Sequence, residues 1–373
     1  MDNRHRLKVI ISGGGTGGHI FPAIAIANAL KKKVPDVNIL FIGAKGKMEM
    51  EKVPAAGYPI EGLWISGLQR KLTLKNLAFP FKVLSSLMKA GRIMKKFKPD
   101  VVIGVGGFAS GPTLRVASNK GIPTLIQEQN SFPGITNKLL AKKVDRICVA
   151  YDGMEKFFPK EKIILTGNPI RKEMIETEGK LKDAFSFFNL TPDKPVVLVV
   201  GGSQGALSIN KSIHSHLDQF SSENIQLIWQ TGKYYYPAAK DAAGEFQSKG
   251  IRIVEFIDRM DFAYSIANVI ISRAGAIAIS EICAVGKPTV FVPLPSAAED
   301  HQTKNAQALV EKNAALLIKD QIVNETLVGS VIQLVRDHDR QSVLSQNLLK
   351  LARKDADEKI ADQILELIKN KRK

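Results

Sequence analysis

The chain has 373 residues, 45% of them apolar, and carries 53 Lys and Arg against 36 Asp and Glu for a formal net charge of +17. That length suits two domains, each able to bury its own core, and the absence of any run of about 18 apolar residues excludes a membrane-spanning helix. The charge is uneven: 27 basic residues face 11 acidic ones up to Leu165, and 26 face 25 beyond it, so the first half is built to attract nucleic acid, anionic lipid or a polyphosphate substrate.

Lys8 to Ile11 predicts a buried strand, and the apolar stretch after Arg4 and Arg6 breaks at Gly13 without a cleavage-like site, so the expected location is the cytoplasm. Ser12-Gly13-Gly14-Gly15-Thr16-Gly17-Gly18-His19 then reads as a glycine turn opening a helix, with Pro22 near the helix start where an N–H is not needed. Such a turn aims backbone N–H groups at a phosphate or similar anion. Gly13, Gly15 and Gly18 also satisfy a dinucleotide fingerprint. The second strand, Asn38 to Ile42, nevertheless ends in Gly43-Ala44, and no carboxylate follows until Glu49, which speaks against a nicotinamide cofactor.

Further strands are expected at Pro59, Val101, Pro123, Arg146 and Ile163, with helices between most of them, as in a parallel sheet wound on both faces. Between Gly62 and Pro99 lie nine basic residues and no acidic one, interleaved with Leu72, Leu74, Leu77, Phe79, Phe81, Val83, Leu84, Leu87 and Met88. This stretch is expected to dock on an anionic membrane surface, although a core helix with a solvated basic face has the same pattern. The strand at Val101 runs into Gly104, Gly106, Gly107 and Phe108-Ala109-Ser110-Gly111-Pro112, a second anion-ready turn. Pro123 to Gln127 ends in Glu128-Gln129-Asn130, polar side chains at a strand's carboxyl end, where open α/β sheets bind ligands. Cys148 and Cys283 stand alone in apolar surroundings and read as buried thiols.

After Gly167-Asn168-Pro169 and a polar helical stretch from Arg171 to Lys194, the pattern restarts. Val196 to Val200 is a strand, Gly201-Gly202-Ser203-Gln204-Gly205-Ala206 its turn, and strands follow at Ile225, Ile251, Val269 and Thr289. The expected fold is α/β, with two Rossmann-like doubly wound domains facing a central cleft. Domains 1–167 and 168–345 would be followed by a C-terminal helix, 346–373, packing back on the first. Arg273-Ala274-Gly275 and Ala276-Ile277-Ala278-Ile279-Ser280-Glu281 form a turn and the opening of a helix. The paired oxygens of Glu281 suit a ribose diol, though a lone Glu there is also commonly just solvated. Beyond Val292, Gln302 in Glu299-Asp300-His301-Gln302-Thr303 is suited to sugar hydroxyls, while simple capping by Asp300 or Thr303 is the blander account. Asp337-His338-Asp339 and Asp355-Ala356-Asp357 contain a DxD string but lie in charged helical segments, and no metal site is expected.

Six of these motifs, from Gly14-Gly15-Thr16-Gly17-Gly18-His19 through Gly106 to Pro112, Glu128-Gln129-Asn130, Gly167 to Arg171 and Gly201 to Ala206 to Ser272-Arg273-Ala274-Gly275-Ala276, stand in one order. In this the chain resembles the MurG family of bacterial GT-B N-acetylglucosaminyltransferases over nearly its whole length. The resemblance implies a hexosyltransferase that converts lipid I to lipid II in peptidoglycan synthesis, needs no cofactor, and works at the cytoplasmic face of the inner membrane as a peripheral protein. UDP-N-acetylglucosamine (UDP-GlcNAc) would lie mainly on the second domain and the lipid-linked acceptor on the first, with other cell-wall synthesis proteins as partners and no nucleic acid. By that likeness Ile257 contacts uracil, and Glu281 the ribose, with Ala276, Ile277, Ala278, Ile279 and Ser280 counted beside it. Ser203 and Arg171 contact the diphosphate, and Gln302 and Asn130 the transferred sugar. Thr16, Gly17, Gly18 and His19 line the meeting point of the substrates. Transfer requires a base for the acceptor's C4 hydroxyl, for which His19 is the candidate and Glu128 the reserve. Gln127, Phe108 and His301 depart from the family pattern, where His, Tyr and Gln are usual. A UDP-GlcNAc 2-epimerase shares fold and donor and is the alternative; a basic nucleic-acid binder is another, but the basic half contains no recognisable reader.

Overall fold

The computed structural model describes residues 6–67, 78–202 and 204–372, which form two compact units. The first comprises residues up to Ile170 together with Arg353–Lys373; the second is Arg171–Ala352.

In the first unit, β1 (Lys8–Ser12), β2 (Asn38–Ala44), β3 (Ile60–Leu63), β4 (Val101–Gly104), β5 (Thr124–Glu128), β6 (Arg146–Val149) and β7 (Ile163–Leu165) make one parallel sheet in the order β3-β2-β1-β4-β5-β6-β7. The central strands β1, β4 and β5 are short, apolar-rich and buried on both faces, as parallel sheets require. One face packs Ile11, Phe41 and Ile103 under the helices Gly17–Lys33 and Ala356–Arg372. The other packs Ile10, Ile42 and Ile126 with Ile93, Leu114 and Leu140 of the helices Phe79–Phe97, Ser110–Asn119 and Ile135–Leu140.

The second unit repeats the plan with β8 (Val196–Val200), β9 (Gln226–Gln230), β10 (Ile251–Val254), β11 (Val269–Ser272), β12 (Thr289–Phe291) and the two-residue β13 (Leu316–Leu317), in the order β10-β9-β8-β11-β12-β13. Its largest buried side chain, Trp229, donates through Nε1 to Asn210 at 3.0 Å. In both sheets the strand order reverses beside the first strand, at β1/β4 and at β8/β11. Those two switch points are where such sheets bind ligands.

Three expectations need correcting. The helix His338–Leu351 runs unbroken through the boundary placed at 345 and belongs to the second unit, the division falling between Ala352 and Arg353. Pro22 lies in the second turn of the helix Gly17–Lys33, where its missing N–H deprives the Gly18 carbonyl of a helical partner. The polar stretch after Arg171 is two short helices, Lys172–Ile175 and Leu181–Phe188. Both cysteines are buried thiols, pushed by burial up to about 12.

Candidate active site

The β8/β11 switch point opens into a cavity of about 690 Å³. Its walls come from the turn Gly201–Ala206, from Ser272, Arg273, Gly275 and Ala278, and from Leu294 to Ser296 with Gln302. The turn's course admits only glycine where a Cβ at Gly205 would strike the Thr231 carbonyl. It leads straight into the helix Leu207–His214, whose first-turn N–H groups, as at any helix start, have no partner within the helix.

Around the cavity, polar side chains fix the backbone. Gln230, at the end of β9, donates to the Gly202 carbonyl at 3.0 Å and accepts the Ile257 N–H at 3.0 Å, so one amide joins the turn to the residue expected beneath uracil. The sequence offers no signal for Gln230, because its partners lie in two other loops. Arg273 donates to the carbonyls of Val292 and Pro293 and to Asp320, pinning the loop after β12 to the cavity floor. Gln302 accepts the Leu294 N–H at 3.0 Å. Asp300 has a left-handed backbone and no side-chain cap bond; its carboxylate takes the Thr303 hydroxyl instead, so the capping account does not hold. Ser203 lies outside the described residues.

Glu281 is not solvated. It is 3% exposed, and both oxygens accept from Arg171, at 3.0 and 3.3 Å. Burial raises its carboxyl above the ordinary range, while Arg171 and the Tyr264 hydroxyl pull it back down. The two residues expected on ribose and diphosphate therefore form one unit. Ala276 to Ser280 form the first turns of the same helix, Ala276–Val285, with Ala278 in the cavity wall and Ile279 buried.

At the β1/β4 switch point the turns after the two strands pack backbone to backbone: Gly14 N–H donates to the Gly106 carbonyl, and a Cβ at Gly107 would strike the Gly14 carbonyl. Thr16, Gly17, Gly18 and His19 come together here at the helix start. His19 Nδ1 lies 3.1 Å from the Gly14 carbonyl and 3.3 Å from Thr16 Oγ1. Since a carbonyl only accepts, the contact to Gly14 calls for the proton on Nδ1, which in the neutral ring puts the lone pair on Nε2. A Cβ at Gly106 would come within 2.8 Å of Nε2, so glycine there leaves the ring its place.

The turn is not the open anion cradle expected from its glycines. Glu49, 1% exposed, accepts the Gly15 N–H at 2.8 Å through Oε2 and the Ala44 N–H at 2.9 Å through Oε1. The reserve base is committed too. Glu128 accepts from Asn130 N and Nδ2 through one oxygen and from Gly134 N and Asn137 Nδ2 through the other. Burial raises its carboxyl, and these four donors oppose that rise. Glu128 thus organises the loop that carries Asn130. Asn137, buried and unremarked in the sequence, leaves its Oδ1 without a partner among the described residues. Gln127 donates to Asn168 at 3.0 Å from a fully buried site, Phe108 is exposed beside Gly67, and His301 starts the helix His301–Val310.

The DxD strings do structural work: Asp337 caps the helix His338–Leu351, accepting the Arg340 N–H, and Asp355 pairs with Lys359 at 3.0 Å.

Two parallel Rossmann-like sheets, each with a glycine turn at its switch point, are the architecture of the GT-B class. The chain belongs to glycosyltransferase family 28, whose N-terminal domain matches residues 9–149 and whose C-terminal domain matches residues 196–370. It is 54% identical over 373 residues, all of both chains, to the UDP-N-acetylglucosamine–N-acetylmuramyl-(pentapeptide) pyrophosphoryl-undecaprenol N-acetylglucosamine transferase of Cytophaga hutchinsonii. It is 52% identical to the transferase of the same description from Parabacteroides distasonis, over 98% of this chain and all of that one. Among solved structures, Acinetobacter baumannii MurG is similar with a TM-score of 0.78 and 28% identity, covering 96% of this chain and 99% of that one.

Proposed function

We propose that this protein moves N-acetylglucosamine from UDP-GlcNAc to the C4 hydroxyl of the N-acetylmuramyl residue of undecaprenyl-diphospho-N-acetylmuramyl-pentapeptide, giving lipid II. The observation that carries this reading is the full-length identity, 54% with no end left over, to a transferase of that description. An epimerase would need no second, lipid-linked substrate.

In the mechanism, the acceptor oxygen forms a bond to the anomeric carbon as the bond from that carbon to UDP breaks, with inversion. His19 Nε2 takes the hydroxyl proton, its ring held by the Gly14 carbonyl. UDP leaves carrying extra negative charge. Turn N–H groups between Gly201 and Ala206, the start of the helix Ala276–Val285, and Arg171 offset it, so charge stabilisation comes from groups already in place. Ser203 belongs with them as a diphosphate contact. Ile257 lies under uracil, the Arg171–Glu281 unit faces the ribose diphosphate, and Gln302 and Asn130 take the sugar.

The acceptor is anchored in lipid, and among the described residues no helix is long and apolar enough to cross a membrane. We therefore assign the outer face of the helix Phe79–Phe97 to an anionic bilayer at the cytoplasmic face of the inner membrane. The test of function is transfer of label from UDP-GlcNAc to a lipid I analogue. Product with UDP release strictly dependent on acceptor is expected; UDP release without acceptor, or no product, overturns the reading.

A further inference from the structure

We propose that Glu49 is the positioning residue of the catalytic histidine, acting on it through a single peptide group. This rests on the reading of His19 as base. The Gly15 N–H gripped by Glu49 and the Gly14 carbonyl that receives His19 Nδ1–H belong to the same peptide unit. The bonds run in line: Glu49 Oε2 to Gly15 N–H at 2.8 Å, across the peptide plane, and Gly14 O to His19 Nδ1 at 3.1 Å.

A carboxylate on the N–H side of an amide draws electron density toward its oxygen, and hydrogen bonds in such a chain strengthen one another. The Gly14 carbonyl thereby becomes a stronger acceptor for Nδ1–H. That holds the imidazole in the tautomer whose lone pair is on Nε2, and it stabilises the imidazolium that forms when Nε2 takes a proton. In triad enzymes a carboxylate performs this work by direct contact with the ring; here a peptide group stands between.

The surroundings are built for this contact. Oε1 is anchored on the Ala44 N–H at the end of β2, and Glu49 opens the helix Glu49–Ala55, so the carboxylate is held from two elements. Glycine is required on both sides of it: a Cβ at Gly14, whose φ is +147°, would strike the carboxyl carbon, and one at Gly43 would come within 2.5 Å of Glu49 Cγ. The corresponding turn of the second unit has the opposite arrangement. There the neutral amide of Gln230 donates to the Gly202 carbonyl, and among the described residues no carboxylate takes a turn N–H. In the turn that meets the donor's diphosphate the Gly205 N–H closes on the Gly202 carbonyl at 2.9 Å, whereas the turn that carries the base gives one N–H to an internal anion.

The test compares Glu49→Gln, Glu49→Ala, His19→Ala and the Glu49→Gln/His19→Ala double variant in the transfer assay. Fold is checked by circular dichroism, and the His19 tautomer by imidazole nitrogen NMR. Glutamine keeps the shape but sets an NH2 against one of the two N–H donors. The expected result is a fall in kcat of about 10²-fold for Glu49→Gln with the KM for UDP-GlcNAc unchanged. A loss of the single Nδ1–H tautomer, no further loss when the substitution is added to His19→Ala, and partial rescue of Glu49→Ala by formate should accompany it. Native kcat in folded Glu49→Gln alongside an inactive His19→Ala overturns the role of Glu49 alone, as do losses that multiply in the double variant. Native kcat in His19→Ala overturns the histidine reading beneath it.

Discussion

Arg171 and Glu281 answer to each other before they answer to any substrate. The carboxylate is buried and the Arg171 side chain 35% exposed, so removing the guanidinium leaves a charge in a poor medium with partial access to water. Stranding one partner of a fully buried pair costs about 3–5 kcal/mol; with Arg171 partly exposed, about 2 kcal/mol is expected for Arg171→Ala. The sign of the pH dependence follows from burial. Glu281's folded carboxyl is raised, and losing Arg171 raises it further, so its neutral form is tolerated at low pH while the stability it contributes is lost as pH rises through the folded value. Denaturant unfolding should show the Arg171→Ala deficit growing from pH 5 to pH 8 and disappearing when Glu281→Gln is added; a deficit independent of pH would refute the pair. At this scale the sequence was legible by type and not by destination. Glu281 and His19 stand out because they follow glycine turns at strand ends. Glu49 is visible only as the first carboxylate after β2, and its turning inward to Gly15 depends on a helix start that sequence spacing does not locate. Glu128 was read as a reserve base from its place at a strand end, and only the loop to Asn137 reveals that both oxygens are spent.

The strands were legible because short β-branched runs bounded by glycine have few other uses in a chain of this length; β13 was missed because two leucines carry no periodicity. Helix bounds were harder than helix partners: the C-terminal helix begins at Ala356 and not at 346. The helix Ala356–Arg372 buries Ile360, Ala361, Ile364, Leu367 and Ile368 against the helix Gly17–Lys33, and Lys33–Asp362 at 2.7 Å and Arg146–Glu366 at 2.9 Å flank that contact. Its apolar face completes one side of the first sheet, where the sequence places a C-terminal helix packing back on the first domain. Ile364→Ala should cost about 2–5 kcal/mol, the range for emptying a buried isoleucine site. Hydrogen exchange should then rise in β1 and β2 while β8 and β9 stay protected. Equal acceleration in both units, or none, would mean that this helix is not part of the first unit's core.

Over the whole molecule the excess charge sits on the residues of the first unit, and one element there offers apolar surface with it. The helix Phe79–Phe97 turns Ser86, Ala90, Ile93 and Met94 inward and leaves Phe81, Leu84 and Met88 exposed at the spacing of one helical face, with Arg92, Lys95 and Lys96 exposed toward its end. Trp64, half exposed, lies nearby with Lys82 over its ring at 5.8 Å. The other members of the basic apolar stretch, Arg70, Lys71, Leu72, Leu74, Lys75 and Leu77, lie outside the described residues. A helix with one apolar face in the core and a second in solvent has its outward face left for another apolar phase, and the cations beside it select an anionic one. Each Lys or Arg near such a surface contributes about 1 kcal/mol, so reversing Lys95 and Lys96 to Glu should weaken vesicle binding by at least about 2 kcal/mol, roughly thirtyfold. Phe81→Ser with Leu84→Ser and Met88→Ser should abolish co-sedimentation with phosphatidylglycerol vesicles, while transfer to a water-soluble acceptor analogue stays at the native rate. That second readout separates docking from chemistry. If the triple variant binds vesicles as the native chain does, or the native chain prefers neutral vesicles, the membrane lies against some other face; if soluble-acceptor activity falls in step with binding, the helix serves the fold rather than the bilayer.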